Sequence, residues 1–316
     1  MKRFLLVINE DKHMEMRTLG STALRVSAVC MGASPLGGMP LAYGYDVDAH
    51  IARETVRRVF DSPITFMDTS NNYSDGESER RIGDVIRERG GLPEGFVLAT
   101  KADPKPGAET LTADRIRESF DESMERLGLE RVPLFYLHDP EYYPFEEIAA
   151  SGGVLDAMIS LREEGLVDYI GIAGAFIPLM LQYVDTDAFD VVLNHNAYTL
   201  VDHSANELID ATVQKGIAFV NAAPFGGGIL AQGPQQQPRY RYMPANEQLT
   251  ERVFAMQNLC KQYDIPLAAA ALQFSLKDSR IGSTIVGMSK PERVENILHL
   301  SSLPIPEELW EGLARI

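Results

Sequence analysis

The feature that most constrains this chain is an alternation of short apolar runs with amphipathic segments, sustained from residue 26 to the end. The runs are residues 26–31, 64–67, 96–99, 134–137, 167–172, 191–193, 217–220 and 284–286. Most are rich in β-branched or aromatic residues with few polar interruptions, the pattern of strands buried on both faces. The fifth is the weakest, because Asp168 and Gly171 interrupt it. Between the runs, Ile116, Phe120, Met124 and Leu127 recur at helical spacing ahead of Gly128. Ser204-x-x-Glu207, ahead of Leu208, Ile209 and Val213 with Gly216 as the stop, reads as a capping box. So does Ser289-x-x-Glu292, with Pro291 in the first turn. Strand and helix alternating eight times predict a parallel (β/α)₈ barrel, an α/β TIM-type fold. The competing open sheet normally turns through G-x-G-x-x-G after its first strand. Here Gly32-Ala-Ser-Pro-Leu-Gly37-Gly38 lacks that spacing.

The 316 residues suffice for one such barrel, typically about 250 residues long, and for a large core without staples. Residues 1–15 read as a short extension, and residues 16–316 as a single barrel domain. Pro234-Gln-Gln-Gln-Pro238 and Arg239-Tyr-Arg-Tyr242 fall after the seventh strand, where a long loop would cover the barrel's mouth. Pro304-Ile-Pro306-Glu-Glu-Leu-Trp310 reads as a turn into a C-terminal helix. A net charge of -16 argues against nucleic acid or an anionic membrane as partner. The two cysteines, Cys30 and Cys260, read as buried thiols in a reducing cytoplasm. No apolar run approaches the ~18 residues of a membrane span, and residues 4–8 are too short for a signal-peptide core. No H-x-H or H-E-x-x-H spacing suggests a metal site. The chain is therefore expected to be a cytoplasmic monomer or small homo-oligomer acting on a small molecule.

In such a barrel, polar residues at the carboxyl ends of strands point into the active site. The second strand ends in Asp68, with Tyr73 in the loop beyond it; the third ends in Lys101 and the fourth in His138. Each alone could be a turn residue, a packing group or a solvated head. Together, on three consecutive strands, they suit proton transfer coupled to hydride transfer. A phenol with a pKa near ~10 is a poor acid–base group at neutral pH. A nearby ammonium stabilises the phenolate, and a carboxylate can hold that ammonium in place.

Asp68, Tyr73, Lys101 and His138 resemble, in order and strand position, the catalytic tetrad of the aldo-keto reductases. The resemblance runs from Met16-Arg-Thr-Leu-Gly20 to Leu303-Pro-Ile-Pro306 and includes Arg80-Arg-Ile-Gly83. It implies NAD or NADP as cofactor. Asn194-His-Asn-Ala-Tyr198-Thr-Leu-Val-Asp202, Asn221-Ala-Ala-Pro224-Phe-Gly-Gly-Gly228 and Ala269-Ala-Ala-Leu-Gln273-Phe-Ser are similar to the family's sugar-oxidising subgroup. That implies oxidation of aldose sugars at C1 to the lactone. The alternative is NADPH-dependent reduction of aldehydes or ketones.

An acidic chain must supply local positive charge for a dinucleotide. Gly287-Met-Ser289-Lys290-Pro-Glu-Arg293 follows the eighth strand and opens a helix, whose amino end favours an anion. In the resembled family this segment grips the adenosine ribose and any 2′-phosphate, with Asn296 near the adenine. Pro224, Phe225, Gly226 and Gly228 form a glycine-rich turn that lets backbone approach a pyrophosphate. By resemblance, Asn194 would contact the nicotinamide amide. Two departures stand out. Many members carry a Ser-Asn pair where this chain has Ala173-Gly174, and the subgroup tends to have Arg where it has Ala197. Tyr43, Tyr45, Tyr142, Tyr143, Tyr198, Tyr240 and Tyr242 could stack on a sugar ring or serve as loop packing.

Overall fold

The computed structural model of the chain describes residues 14–38, 44–241 and 243–316. Eight parallel strands close into a barrel in chain order, the last pairing with both the first and the seventh. They are β3 (Val29–Gly32), β4 (Phe66–Asp68), β5 (Val97–Ala102), β6 (Val132–His138), β7 (Val167–Gly174), β8 (Val191–His195), β9 (Ala218–Ala222) and β12 (Ile281–Gly287). Each of the eight apolar runs overlaps one of them.

The first run is not one strand. Residues Arg25–Ser27 form β2, which pairs antiparallel with β1 (Met16–Thr18). The chain breaks at Ala28, whose amide bonds Glu15, and then enters the barrel as β3. Leu19 and Val26, both fully buried, belong to the interior cluster and plug the amino-terminal mouth. The polar interruptions of the fifth run have separate causes. Asp168 is exposed and pairs with Arg131. Gly171 faces inward, and a Cβ there would meet the Tyr136 ring at 2.4 Å.

The two-residue period of a strand divides the core in two. Cys30, Phe66, Ala99, Leu134, Tyr136, Leu193 and Val220 fill the interior; Met31, Met67, Leu98, Phe135, Ile172 and Val192 face the helices. Filling the interior makes the barrel a packed floor beneath its carboxyl end, the face at which sites of this architecture form.

Several helices begin and end where the sequence directs. Thr112 accepts a hydrogen bond from Arg115 N at the start of Ala113–Leu127, and Gly128 closes it in the left-handed region at φ 70°. The two Ser-x-x-Glu boxes do not cap. Helix Asn206–Gln214 starts after Ala205, and helix Pro291–Ser302 starts after Lys290, neither with a side-chain cap. In both, the cap position falls one residue beyond the serine, at Ala205 and at Lys290, so the serine lies outside the helix. A short hairpin, β10 (Arg239–Tyr240) with β11 (Met243–Pro244), lies in the long segment after β9, and helix Glu247–Gln262 follows. Helix Glu307–Leu313 ends the chain as expected. Among the described residues, no helix is long and apolar enough to cross a membrane.

Candidate active site

The carboxyl ends of the strands open into a cavity of about 1110 Å³, at the top of the ~300–1,000 Å³ range of small-molecule sites. Its floor follows the strand period: Gly32, Asp68, Lys101, His138, Ala173, His195 and Ala222 line it.

Lys101 is essentially fully buried. Its ammonium donates to Asp68 Oδ1 at 2.6 Å, to the Thr69 carbonyl at 2.7 Å and to the Tyr73 hydroxyl at 3.1 Å. Burial pushes the Asp68 carboxyl above its ordinary value, against the opposing pull of Lys101. Three donations from one ammonium to three acceptors fix its position without mobile water. Tyr73 rides on the loop between β4 and helix Glu77–Arg89, which turns sharply through Ser74 and Asp75 at φ 54° and 52°. Its ring stands edge-on to His138, with centroids 5.8 Å apart. Asp68, Tyr73, Lys101 and His138 therefore meet at one point, where a phenol beside an ammonium can give or take a proton.

Asp103 is a further participant not apparent from the sequence. It is 4 % exposed, and its Oδ1 lies 2.6 Å from His138 Nδ1. The Ser70 hydroxyl donates to Asp103 Oδ2 and lies 3.1 Å from the same nitrogen. Asn72 N donates to Asp103 Oδ2 at 3.0 Å, which ties the Tyr73 loop to the same carboxylate. Asp103 lies two residues beyond Lys101, just past the end of β5.

Phe225, Gly228, Gly287, Ser289, Lys290 and Arg293 line a second part of the same cavity. Arg293 is partly buried, and loss of hydration lowers its pKa. Its guanidinium lies 5.3 Å from the Phe225 ring centre and donates to Asn296 Oδ1 at 3.3 Å. Among the described residues, no carboxylate pairs with it. A half-dry cation without a carboxylate partner favours a bound anion. The residues present thus fit a dinucleotide's phosphates.

Asn194, Pro224, Gly226 and Asn296 are not on the cavity wall. Asn194 is the outward residue of β8, between inward Leu193 and His195. It donates to the carbonyls of Gly174 and Ala175 at 2.9 and 3.3 Å. From this strand Leu193 and His195 line the cavity, as strand parity directs. Pro224 is buried and Asn296 exposed. Gly226 packs under Tyr240, whose ring a Cβ would meet at 2.3 Å. The amides of Gly226 and Gly228 are spent within the turn, on Ala223 and Phe225. What the turn offers the cavity is the bare backbone of Gly227 and Gly228.

At the Ala173-Gly174 departure, Glu141 Oε1 accepts from Ala175 N at 2.8 Å, beside the Asn194 amide. Of the tyrosines, Tyr45 joins Tyr73 on the wall. Tyr143, Tyr198 and Tyr240 are packing groups, Tyr142 is 77 % exposed, and Tyr43 and Tyr242 lie outside the described residues.

Comparison with known proteins agrees with this geometry. The aldo/keto reductase family profile matches residues 28–316. The chain is 31% identical to a D-threo-aldose 1-dehydrogenase of Pseudomonas sp, over 93% of this chain and 95% of that one. It is 33% identical to an L-galactose dehydrogenase of Arabidopsis thaliana, over 93% and 92% respectively. A holo-form aldo-keto reductase from Bacillus halodurans shares the fold with a TM-score of 0.77, at 22% identity and 96% coverage of each chain. The chain belongs to the aldo/keto reductase family of NAD(P)-dependent oxidoreductases.

Proposed function

We propose that this NAD(P)-dependent oxidoreductase oxidises aldose sugars at C1 to the lactone, with Tyr73 as the proton-transferring group. The observation that carries the reading is the 3.1 Å contact between the Tyr73 hydroxyl and the Lys101 ammonium at the cavity floor.

NAD(P), when bound, supplies the acceptor for the hydride that leaves C1. The chain's own residues handle the proton. Lys101 stabilises Tyr73 as phenolate, and the phenolate oxygen takes the proton of the C1 hydroxyl. Asp68 neutralises and fixes Lys101, so the ammonium does not swing away as the phenol charge changes. His138 binds the reacting oxygen from the other side. C1 loses one hydride and its oxygen one proton, and the C1–O single bond becomes a carbonyl. Phe225, Gly228, Gly287, Ser289, Lys290 and Arg293 hold the cofactor, and the Lys290–Arg293 pair accepts either NADP or NAD.

The aldose assignment is supported by the likeness to a D-threo-aldose 1-dehydrogenase and an L-galactose dehydrogenase. The polar wall beside the floor also suits it: Asp139, His195 and Asp48 offer partners for ring hydroxyls. A panel of L-fucose, L-galactose and D-arabinose, followed as NAD⁺ or NADP⁺ reduction, tests it. Silence on these sugars, with strong NADPH-dependent reduction of simple aldehydes, would replace it with the reductase reading, in which Tyr73 gives the proton instead.

A further inference from the structure

We propose that Asp103 is a positioning residue that holds the proton of His138 on Nδ1, leaving Nε2 as the nitrogen that exchanges its proton on the cavity side. His138 then donates to a carbonyl oxygen in its charged form and accepts from a hydroxyl in its neutral form. This rests on the reading above only in identifying the substrate oxygen.

The hydrogen-bond inventory requires the Nδ1 proton. Two groups contact that nitrogen: Asp103 Oδ1 at 2.6 Å and Ser70 Oγ at 3.1 Å. An ionised carboxylate only accepts. The one Ser70 proton is committed to Asp103 Oδ2, so toward His138 that hydroxyl also only accepts. With two acceptors on one nitrogen, Nδ1 must be the donor. A neutral imidazole has one proton, so its Nε2 is then an acceptor; only the imidazolium presents Nε2–H.

The surrounding charges favour the ionised form of each partner. Burial alone would push Asp103 up, but His138, the Ser70 hydroxyl and the Asn72 amide hold it below its ordinary value. Burial alone would push His138 down, but Asp103 and then Asp139 outweigh it and raise it. The groups facing His138 are Asp103 and Lys101 from β5 and its loop, Asp68 and Tyr73 from β4 and its loop, Ser70, the adjacent Asp139, and His195 from β8. Asp139 Oδ1 lies 3.7 Å from Nε2.

The consequence is a second proton-handling group beside Tyr73, whose state sets whether the site favours a carbonyl or a hydroxyl. The test is a pH titration of the imidazole ¹⁵N signals of the wild-type protein, with His138 assigned through His138→Gln. The expected result is an Nδ1–H tautomer in the neutral form and an Nε2 that titrates above the ordinary imidazole value. An Nε2–H tautomer in the neutral form overturns the proposal. In Asp103→Asn the His138 transition should fall by about one to three units, and the pH profile of kcat should move with it. If neither moves, the proposal fails. The wild-type titration needs no substrate, so a failed sugar panel leaves this result standing.

Discussion

Lys101 Nζ holds Asp68 Oδ1 at 2.6 Å, while Asp68 Oδ2 has no hydrogen-bond partner among the described residues. The carboxylate therefore depends on one ammonium for its charge balance in a site it shares with no other described cation at that distance. Removing Lys101 leaves a buried, unpaired charge. We expect Lys101→Met to destabilise the fold by about 3–5 kcal/mol. Adding Asp68→Asn should recover part of that loss, because the orphan charge goes with it. Urea denaturation of both singles and the double variant measures the coupling; additive losses would show that the pair is not linked.

Tyr73→Phe removes one hydroxyl from the loop and leaves the ring edge-on to His138. The ring carries the packing and the oxygen carries the chemistry. We expect kcat/KM to fall by about 10²–10⁴-fold, the usual contribution of a positioned acid–base group. The Tm should stay within a few degrees, since Lys101 keeps Asp68 and the Thr69 carbonyl. Undiminished turnover would remove Tyr73 from the reaction.

Arg293 supplies the part of the cavity proposed to hold the cofactor with a cation that no described carboxylate pairs with. Hydrogen bonds to charged groups contribute roughly 1.5–3 kcal/mol, so Arg293→Ala should weaken dinucleotide binding by roughly tenfold to a hundredfold. Fluorescence titration with NADP⁺ and NAD⁺ reads it. A larger loss for NADP⁺ would assign the guanidinium to the 2′-phosphate, and an equal loss to the pyrophosphate. Affinity unchanged for both would take Arg293 out of the cofactor site.

The barrel was legible because strands covered on both faces must be apolar throughout, and eight such runs leave few other architectures. Asp68, Lys101 and His138 were legible for the same reason: a charged or titratable group ending an apolar run has to face somewhere it can be used. Asp103 was hidden in Lys101-Ala-Asp103-Pro-Lys-Pro, which reads as an ordinary polar turn. Only its place immediately after β5, two residues from Lys101, links it to the site. Strand parity in β8 turns His195 toward the cavity and Asn194 toward the carbonyls of Gly174 and Ala175. The false caps at Ser204 and Ser289 show a different limit. Ser-x-x-Glu specifies a cap only if the chain enters the helix at the serine, and here each helix is entered one residue further on, at Ala205 and at Lys290. The split at Ala28 was invisible because both halves of residues 26–31 are buried, one in a plug and one in the wall.

Tyr198 and Asp278 provide the last expectation, away from the chemistry. The Tyr198 hydroxyl donates to Asp278 Oδ2 at 2.6 Å, and Arg280 grips the same carboxylate through Nε and Nη2. Burial alone would raise Asp278, but Arg280 and Tyr198 outweigh it and hold it at about 2. Burial and then Asp278 push Tyr198 up to about 12. A depressed carboxylate contributes stability that is complete above its unfolded value of ~3.9 and is lost as pH falls through about 2. A raised phenol contributes stability that is complete below ~10 and is lost as pH rises through about 12. We therefore expect Asp278→Asn to cost about 1–3 kcal/mol at neutral pH. The gap from wild type should close as the pH falls toward 2, because the wild-type carboxylate then also becomes neutral. Urea midpoints at a series of pH values measure this, and a gap that stays constant into acid would show that the ionised carboxylate is not its source.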